Sequence, residues 1–325
     1  DLKERAATLD AHEGLRVSLL QDGFTERSDA ADGKAIDDVI YFATHRDPSY
    51  RFSTATDFLN ELFRATRAPE PLATEEARPK IDPLAAKPGD EIAEGLVVEH
   101  LLGSGATSIV YLVKQGEYFR VLKVSRDSRA NEFLLGEART LEKLKHTRIV
   151  SLKQTPFMVE SHGALLLDMA GETTLAQYLR DEGSVGLDFA ARWGRELIET
   201  VQFLEEKGIF HRDLKPQNIG LEVIGKNKPK SILLFDFSHS HLDTKDIESG
   251  TEAYRDPHLS LRGRWDSHAE LYSTTLVLYE MLTGTLPRRP RTPDAPAVIA
   301  PDSLIESCRD GLTEFFTRAL SVKAE

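Results

Sequence analysis

"GIFHRDLKPQNIGL", residues 208–221, crowds His211, Arg212, Asp213, Lys215 and Asn218 into eight positions. Upstream, "LDFAARWGRELIETVQFLEEKG" has the apolar spacing of a helix capped by Asp188 and stopped at Gly208. Downstream, "SILLFDF" reads as a short buried strand. The polar cluster therefore lies on a loop between two apolar elements, where dense fixed charge suits a site better than a solvated turn. The strand raises a question of its own, because it finishes on Asp236. A buried ionised carboxylate needs a cation, a metal or several donors, or it neutralises; the plain alternative is a strand-end aspartate turned to solvent.

Further toward the C-terminus, "HAELYSTTLVLYEMLTG" is apolar almost all round, which predicts a buried central helix ending at Gly284. Toward the N-terminus, "LVVEHLLGSGATSIVYLVKQGEYFRVLKVS" is strand-rich and "ANEFLLGEARTLEKLK" is helical. Lys123 falls mid-strand, where a buried ammonium needs a carboxylate, and Glu137 on the following helix is the best placed. A lone strand lysine would instead snorkel to the surface. Gly103 and Gly105 sit between two strands, with Ser108 third in a G-x-G-x-x-G-like pattern. Small residues let backbone N–H groups approach phosphate, although a plain hairpin turn fits the same pattern. A strand follows this loop, so a dinucleotide site is disfavoured. A small strand-rich lobe thus precedes a larger helical one, and ligands favour the cleft between such units.

Composition narrows the class. Hydrophobic residues at 40% and charged residues at 29% are those of a globular protein rather than a disordered one. A net charge of -12 argues against nucleic acid or an anionic membrane surface as the main partner. The lone cysteine, Cys308, excludes an intrachain disulfide and points to a reducing compartment. No apolar run approaches the roughly 20 residues of a membrane helix. A cytoplasmic location follows as an expectation.

With these pieces in order, residues 95 to 323 resemble the eukaryotic-like (Hanks-type) Ser/Thr protein kinases, of bacterial type. The Gly-rich loop, "VLK", the helix glutamate, "HRDLKPQN", "DFS" and "GTEAY" carry the resemblance. It implies an α+β, two-lobed protein kinase fold with a helical N-terminal extension, using ATP and Mg2+. It implies a nucleotide site at Gly103, Gly105, Ser108, Val110 and Lys123, with backbone contacts to adenine from Asp168, Met169 and Ala170 beside Leu167. Asp236 would hold Mg2+ and Asn218 the second metal position. Asp213 would orient the substrate hydroxyl, Lys215 would neutralise charge on the transferred group, and Glu137 would hold Lys123. Arg212 suggests control by activation-segment phosphorylation, with Thr244 and Ser249 as candidate sites. Thr251 is read as completing the substrate platform with Asp213 and Lys215.

Three departures stand out. Ser238 replaces the last glycine of D-F-G, His258 replaces the glutamate of Ala-Pro-Glu, and Glu270 replaces the helix aspartate that supports the catalytic loop. A nucleotide-binding pseudokinase is therefore the alternative, and a small-molecule kinase of similar fold ranks behind it.

The domain organisation is read as a helical segment at 1–67, a linker or strapped-down arm at 68–94, the N-lobe and hinge at 95–170, and the C-lobe at 171–325. Within "TATDFLNELFRATR", Phe58, Leu59, Leu62 and Phe63 are placed on one face. Residues 37–67 resemble the closing segment of a kinase C-lobe, with Arg51 at the position of its late arginine. "IYFATHRDPSYRF" and "FFTRALSVKAE" align as an internal repeat. The expectation is a fragment of a longer polypeptide: the tail of one kinase-like domain, then a kinase short of its last helix. "YRDPHLSLRGRWDSHAELY" also resembles large defence-associated bacterial kinases of the PglW type, which implies a role in phage defence. Other domains of the same polypeptide, protein substrates and self-association are the implied partners.

Overall fold

The β-rich run around Lys123 organises the smaller part of the chain. The computed structural model describes residues 33–45, 47–48, 51–66, 81–224, 228–290, 292 and 295–322. They fall into two compact units, within 1–80 and 81–325.

In the first unit, α1 (Gly33–Ala43) packs with α2 (Ala55–Thr66). Ile36, Val39 and Ala65 are buried with Phe58 and Leu62 against them. The Thr54 hydroxyl accepts the Asp57 N–H at 3.1 Å and donates to the Asp57 carboxylate at 2.7 Å, fixing the start of α2. Leu59 and Phe63 are exposed, which corrects the single-face reading. Each follows its buried neighbour by one residue, a turn of about 100° that carries it off the packed stripe.

The second unit begins with a six-stranded sheet of order β1-β2-β3-β4-β6-β5. Its strands are β1 (Glu91–Ala93), β2 (Leu96–Ser104), β3 (Ser108–Gln115), β4 (Tyr118–Ser125), β5 (Phe157–Val159) and β6 (His162–Leu167). Val98, Tyr111, Val113, Leu122 and Leu166 form its buried face. The helix α3 (Ser128–Lys143) follows β4, capped by Asp127, whose side chain accepts the Ala130 N–H at 2.8 Å. The small lobe starts earlier than the sequence reading placed it. Leu84 and Ala86 pack on its core, Pro83 O accepts the Tyr111 hydroxyl at 3.1 Å, and β1 adds an edge strand. Prolines hid this stretch: it is anchored by a few side chains rather than by periodicity. Residues 68–80 of the expected linker lie outside the described residues.

The large lobe holds β7 (Thr173–Thr174), α4 (Leu175–Glu182), α5 (Leu187–Glu206), β8 (Ile219–Ile224) and β9 (Lys228–Leu234). It continues through α6 (Leu259–Arg262), α7 (Ser267–Thr283) and α8 (Arg309–Ala319). The residue capping α5 is Gly186, not Asp188, which falls in the first turn beside the free backbone N–H groups. α7 is the expected central helix. Asp266 caps it by accepting the Ala269 N–H at 3.1 Å, and Gly284 closes it in the left-handed region at φ 73°. Its buried Tyr272, Leu276, Val277 and Met281 join Trp193 and Leu197 of α5 in the main core, each contributing about 1.5–3 kcal/mol.

Two backbone hydrogen bonds fasten the chain after α3 to β9: Val150 N–H to Leu234 O at 3.0 Å and Leu234 N–H to Arg148 O at 2.8 Å. That junction delivers Asp236, two residues on, to the floor of the small lobe. Among the described residues no helix is long and apolar enough to cross a membrane.

Candidate active site

Lys123 comes off β4 into the space between the lobes and meets two carboxylates. Its ammonium lies 2.6 Å from Glu137 Oε2 on α3 and 2.8 Å from Asp236 Oδ1 after β9. The pairing of Lys123 with Glu137 matches the sequence expectation, and the contact with Asp236 supplies the partner that aspartate lacked in the sequence. Burial alone would push the Lys123 ammonium down, but Asp236 and Glu137 outweigh it and raise it above the usual lysine range. Burial would likewise raise Asp236, and the Lys123 charge, helped by a hydrogen bond from Ser238, instead holds it well below the usual carboxylate range. Glu137 is raised by burial, with Lys123 working against that rise. Glu137 Oε1 also accepts the Phe237 N–H at 3.2 Å, tying α3 to the residue after Asp236. Phe237 itself is fully buried against His211, with ring centroids 4.7 Å apart.

The loop at 211–218 turns its polar groups inward. Asp213 Oδ2 accepts Lys215 Nζ at 2.6 Å and Asn218 Nδ2 at 3.1 Å. Asp213 Oδ1 accepts the Thr251 hydroxyl at 2.7 Å and the Thr251 N–H at 2.8 Å. Lys215 also reaches Thr251 Oγ1 at 2.6 Å, so Asp213, Lys215 and Thr251 form a closed triangle. Burial would raise the Asp213 carboxyl, but the Lys215 and Thr251 hydrogen bonds outweigh it and hold it low. Asp213 is thus an ionised acceptor at neutral pH. His211 is fully buried and burial lowers its pKa, so it is neutral. Its Nε2–H donates to Phe235 O at 3.0 Å, which leaves Nδ1 to accept the Asp213 N–H at 3.3 Å.

Gly103 lies inside β2 rather than between strands, and Gly105 forms the turn, its N–H donating to Ser108 O at 2.9 Å. A Cβ at Gly103 would meet nothing within 4 Å, so the loop leaves open space for a ligand. Ser108 is buried, and Val110 pairs in register with Lys123, which sets the loop directly beside the ammonium. Arg126 braces the turn through Gly105 O at 2.7 Å and the Ser104 hydroxyl, a role with no signal in the sequence. At the hinge, Asp168 binds Arg120 at 2.9 Å and Lys153 at 3.1 Å through its side chain. Its N–H goes to Ser151 O at 2.9 Å.

Beyond Asp236 the chain takes an arrangement the sequence did not announce. Arg212 Nη1 donates to Asp243 O at 2.9 Å, and its guanidinium lies over the Trp265 ring at 5.7 Å. Thr244 is exposed, whereas Ser249 is buried with its hydroxyl on Asp246 O at 3.2 Å, so Ser249 is a poor target for modification. Where the usual glutamate is replaced, His258 is buried and its N–H bonds Asp256 Oδ1 at 2.8 Å. Asp256 in turn pairs with Arg262, which also binds Asp266 at 2.8 Å. A local acid–arginine cluster stands in place of the long-range pair. Glu270 Oε1 accepts two donors, the Arg212 N–H at 2.7 Å and Trp265 Nε1 at 2.8 Å. Burial pushes Glu270 up to about 7.

Residues 96–311 match the protein kinase domain family. The chain is 32% identical to the probable kinase PglW of Streptomyces coelicolor, over 98% of this chain and 23% of that protein. It is 32% identical to the serine/threonine-protein kinase AtPK2/AtPK19 of Arabidopsis thaliana, over 60% of this chain and 42% of that protein. It is 30% identical to the human calcium/calmodulin-dependent protein kinase type IV, over 61% of this chain and 42% of that protein. The chain thus spans less than half the length of each of these relatives.

Proposed function

The chain belongs to the protein kinase family, and from that premise we propose that it is a working serine/threonine kinase, transferring the γ-phosphoryl group of ATP to Ser or Thr hydroxyls of protein substrates. The observation that carries this reading is the closed triangle of Asp213, Lys215 and Thr251, set beside the Lys123–Asp236 pair. An ionised Asp213, fixed by three side chains, is placed to accept a hydrogen bond from an incoming hydroxyl and orient it. Lys215 brings positive charge to the same point, where negative charge develops on the transferred group. Lys123 offers its ammonium to nucleotide phosphates, and the space beside Gly103 is open.

Among the described residues no three of His, Cys, Asp and Glu converge to hold a metal unaided. Asp236, kept ionised, and Asn218, whose amide nitrogen is engaged by Asp213, still fit Mg2+ if phosphate oxygens and water complete its shell. When bound, that ion neutralises phosphate charge and fixes the orientation of the group transferred. Ser238 fits this reading, since its hydroxyl supports the ionised Asp236.

The wider reading is that the chain is part of a longer, cytoplasmic defence polypeptide whose other domains are its partners. The likeness to the probable kinase PglW across 98% of the chain supports it. The first experiment is transfer of labelled γ-phosphate from Mg·ATP to the protein and to a generic acceptor, with Asp213→Asn in parallel. Transfer by the parent that falls by about a thousandfold in Asp213→Asn is the expected result. Equal transfer by both proteins would overturn the assignment.

A further inference from the structure

Trp265 is 2% exposed and touches three parts of the site at once. Its indole Nε1–H donates to Glu270 Oε1 at 2.8 Å, on α7. Its ring lies beneath the Arg212 guanidinium at 5.7 Å, immediately before Asp213. Its backbone N–H donates to Thr244 O at 2.6 Å, in the segment that runs from Asp236 to Pro257. Arg212 closes the circuit by donating to Asp243 O at 2.9 Å, while its own N–H meets Glu270 Oε1 at 2.7 Å. One aromatic side chain therefore joins the catalytic loop, the segment after Asp236 and the central helix.

This arrangement bears on what Arg212 can do. An arginine beside a catalytic aspartate would answer a phosphate only with its donors turned toward solvent. Here the guanidinium belongs to a residue only 3% exposed, lies on an indole face and already holds a backbone carbonyl of the segment. Thr244 is exposed and lies between Asp243 and Lys245, with Asp246 next, so a phosphate there would meet two carboxylates and one ammonium. The segment is docked instead through its backbone carbonyls, by the Arg212 guanidinium and the Trp265 N–H.

We propose that Trp265 is a positioning residue that locks Arg212 and the Asp243–Thr244 segment to α7, so that the Asp213–Lys215–Thr251 triangle is assembled without phosphorylation of the segment. This rests on the kinase reading above and specifies how that site is regulated. The groups facing Glu270 from outside its own helix are the backbone of His211, the backbone and guanidinium of Arg212, and the Trp265 indole. Losing the indole donor removes a bond to ionised Glu270 and raises its pKa further.

The test uses the full chain, freed of phosphate by phosphatase and checked by mass, beside Trp265→Phe, which keeps a ring under Arg212 but lacks the N–H. Thr244→Ala serves as a second control. Phosphate-free protein and Thr244→Ala should keep their transfer rate within about twofold, while Trp265→Phe loses about tenfold in kcat with KM for ATP unchanged, the worth of one buried hydrogen bond. Amide exchange at Arg212 and over 243–246 should rise about tenfold in Trp265→Phe without nucleotide. A loss of activity on phosphate removal that returns on rephosphorylation would overturn the proposal, and so would unchanged exchange in Trp265→Phe. Should the parent transfer no phosphate, the kinase reading fails, and the exchange data still decide the lock in the same way.

Discussion

Two carboxylates at the two ends of the site are held in opposite ways. Asp236, on the nucleotide side, faces the Lys123 ammonium at 2.8 Å and stays ionised far into acid. Glu270, on the catalytic-loop side, is far more deeply buried, accepts the Arg212 and Trp265 N–H groups, and is raised by burial to about 7. The first region balances charge with charge, which keeps Asp236 ionised. The second uses a carboxylate as a hydrogen-bond anchor, in which the oxygen matters more than the charge. Removing charge should therefore wreck the first region and spare the second.

The largest effect is expected from Lys123→Met, which leaves Glu137 and Asp236 facing each other with no cation between them. Urea unfolding should show a loss of about 3–5 kcal/mol, as for other broken buried pairs. Adding Glu137→Gln should return part of it, and a loss below about 1 kcal/mol would show that the pair is not the support described here.

Glu270→Gln tests the other region. Because the folded value, about 7, lies above the ordinary 4.5, the folded protein holds this proton more tightly than the unfolded chain does. Protonation at this site thus favours folding, and that stability, about 3 kcal/mol, is lost as pH rises through 4.5 to 7. Glutamine keeps the accepting oxygen and cannot ionise, so this contribution to the slope of stability against pH should vanish in the variant. Unfolding measured at pH 5, 6, 7 and 8 decides it: parallel curves for parent and variant would rule out the anchor role.

A smaller effect lies at the back of the first region. Gly136 precedes Glu137 in α3, and a Cβ there would overlap the ring of His241, which also meets Phe133 edge-on at 5.6 Å. Glycine to alanine inside a helix ordinarily gains about 1 kcal/mol. Gly136→Ala should instead lose about 1 kcal/mol through overpacking. The ordinary gain should reappear in Gly136→Ala with His241→Ala, and a gain in the single variant would mean that His241 does not brace the helix.

The contrast between the two regions also marks what could be read from residues alone. Lys123 and Glu137 were legible because a strand lysine among Val and Leu must find a carboxylate, and α3 offered one fourteen positions on. The Lys123–Asp236 contact spans 113 positions, and nothing local announces it. The triangle at Asp213 was legible only through the resemblance to protein kinases. The lock at Trp265 was not, because a tryptophan near a helix start reads as core bulk until its N–H is seen to have a buried acceptor. Likewise β1 escaped notice: three residues after a proline-rich run are too few to show alternation, and their strand form comes from pairing with β2.

The chain just past the hinge is pressed against the large lobe backbone to backbone. A Cβ at Gly220 on β8 would overlap the carbonyl of Ala170, and one at Gly171, with φ 90°, would overlap the carbonyl of Leu221. No side chain fits between these strands, so Ala170 and Gly171 travel with β8 as one body. Leu167, upstream, is fixed in the small-lobe sheet by pairing with Val121. A rotation of the small lobe about this connection is therefore absorbed at Asp168 and Met169. These two residues form the pivot of the whole machine, and the Arg120 and Lys153 contacts to Asp168 are its friction.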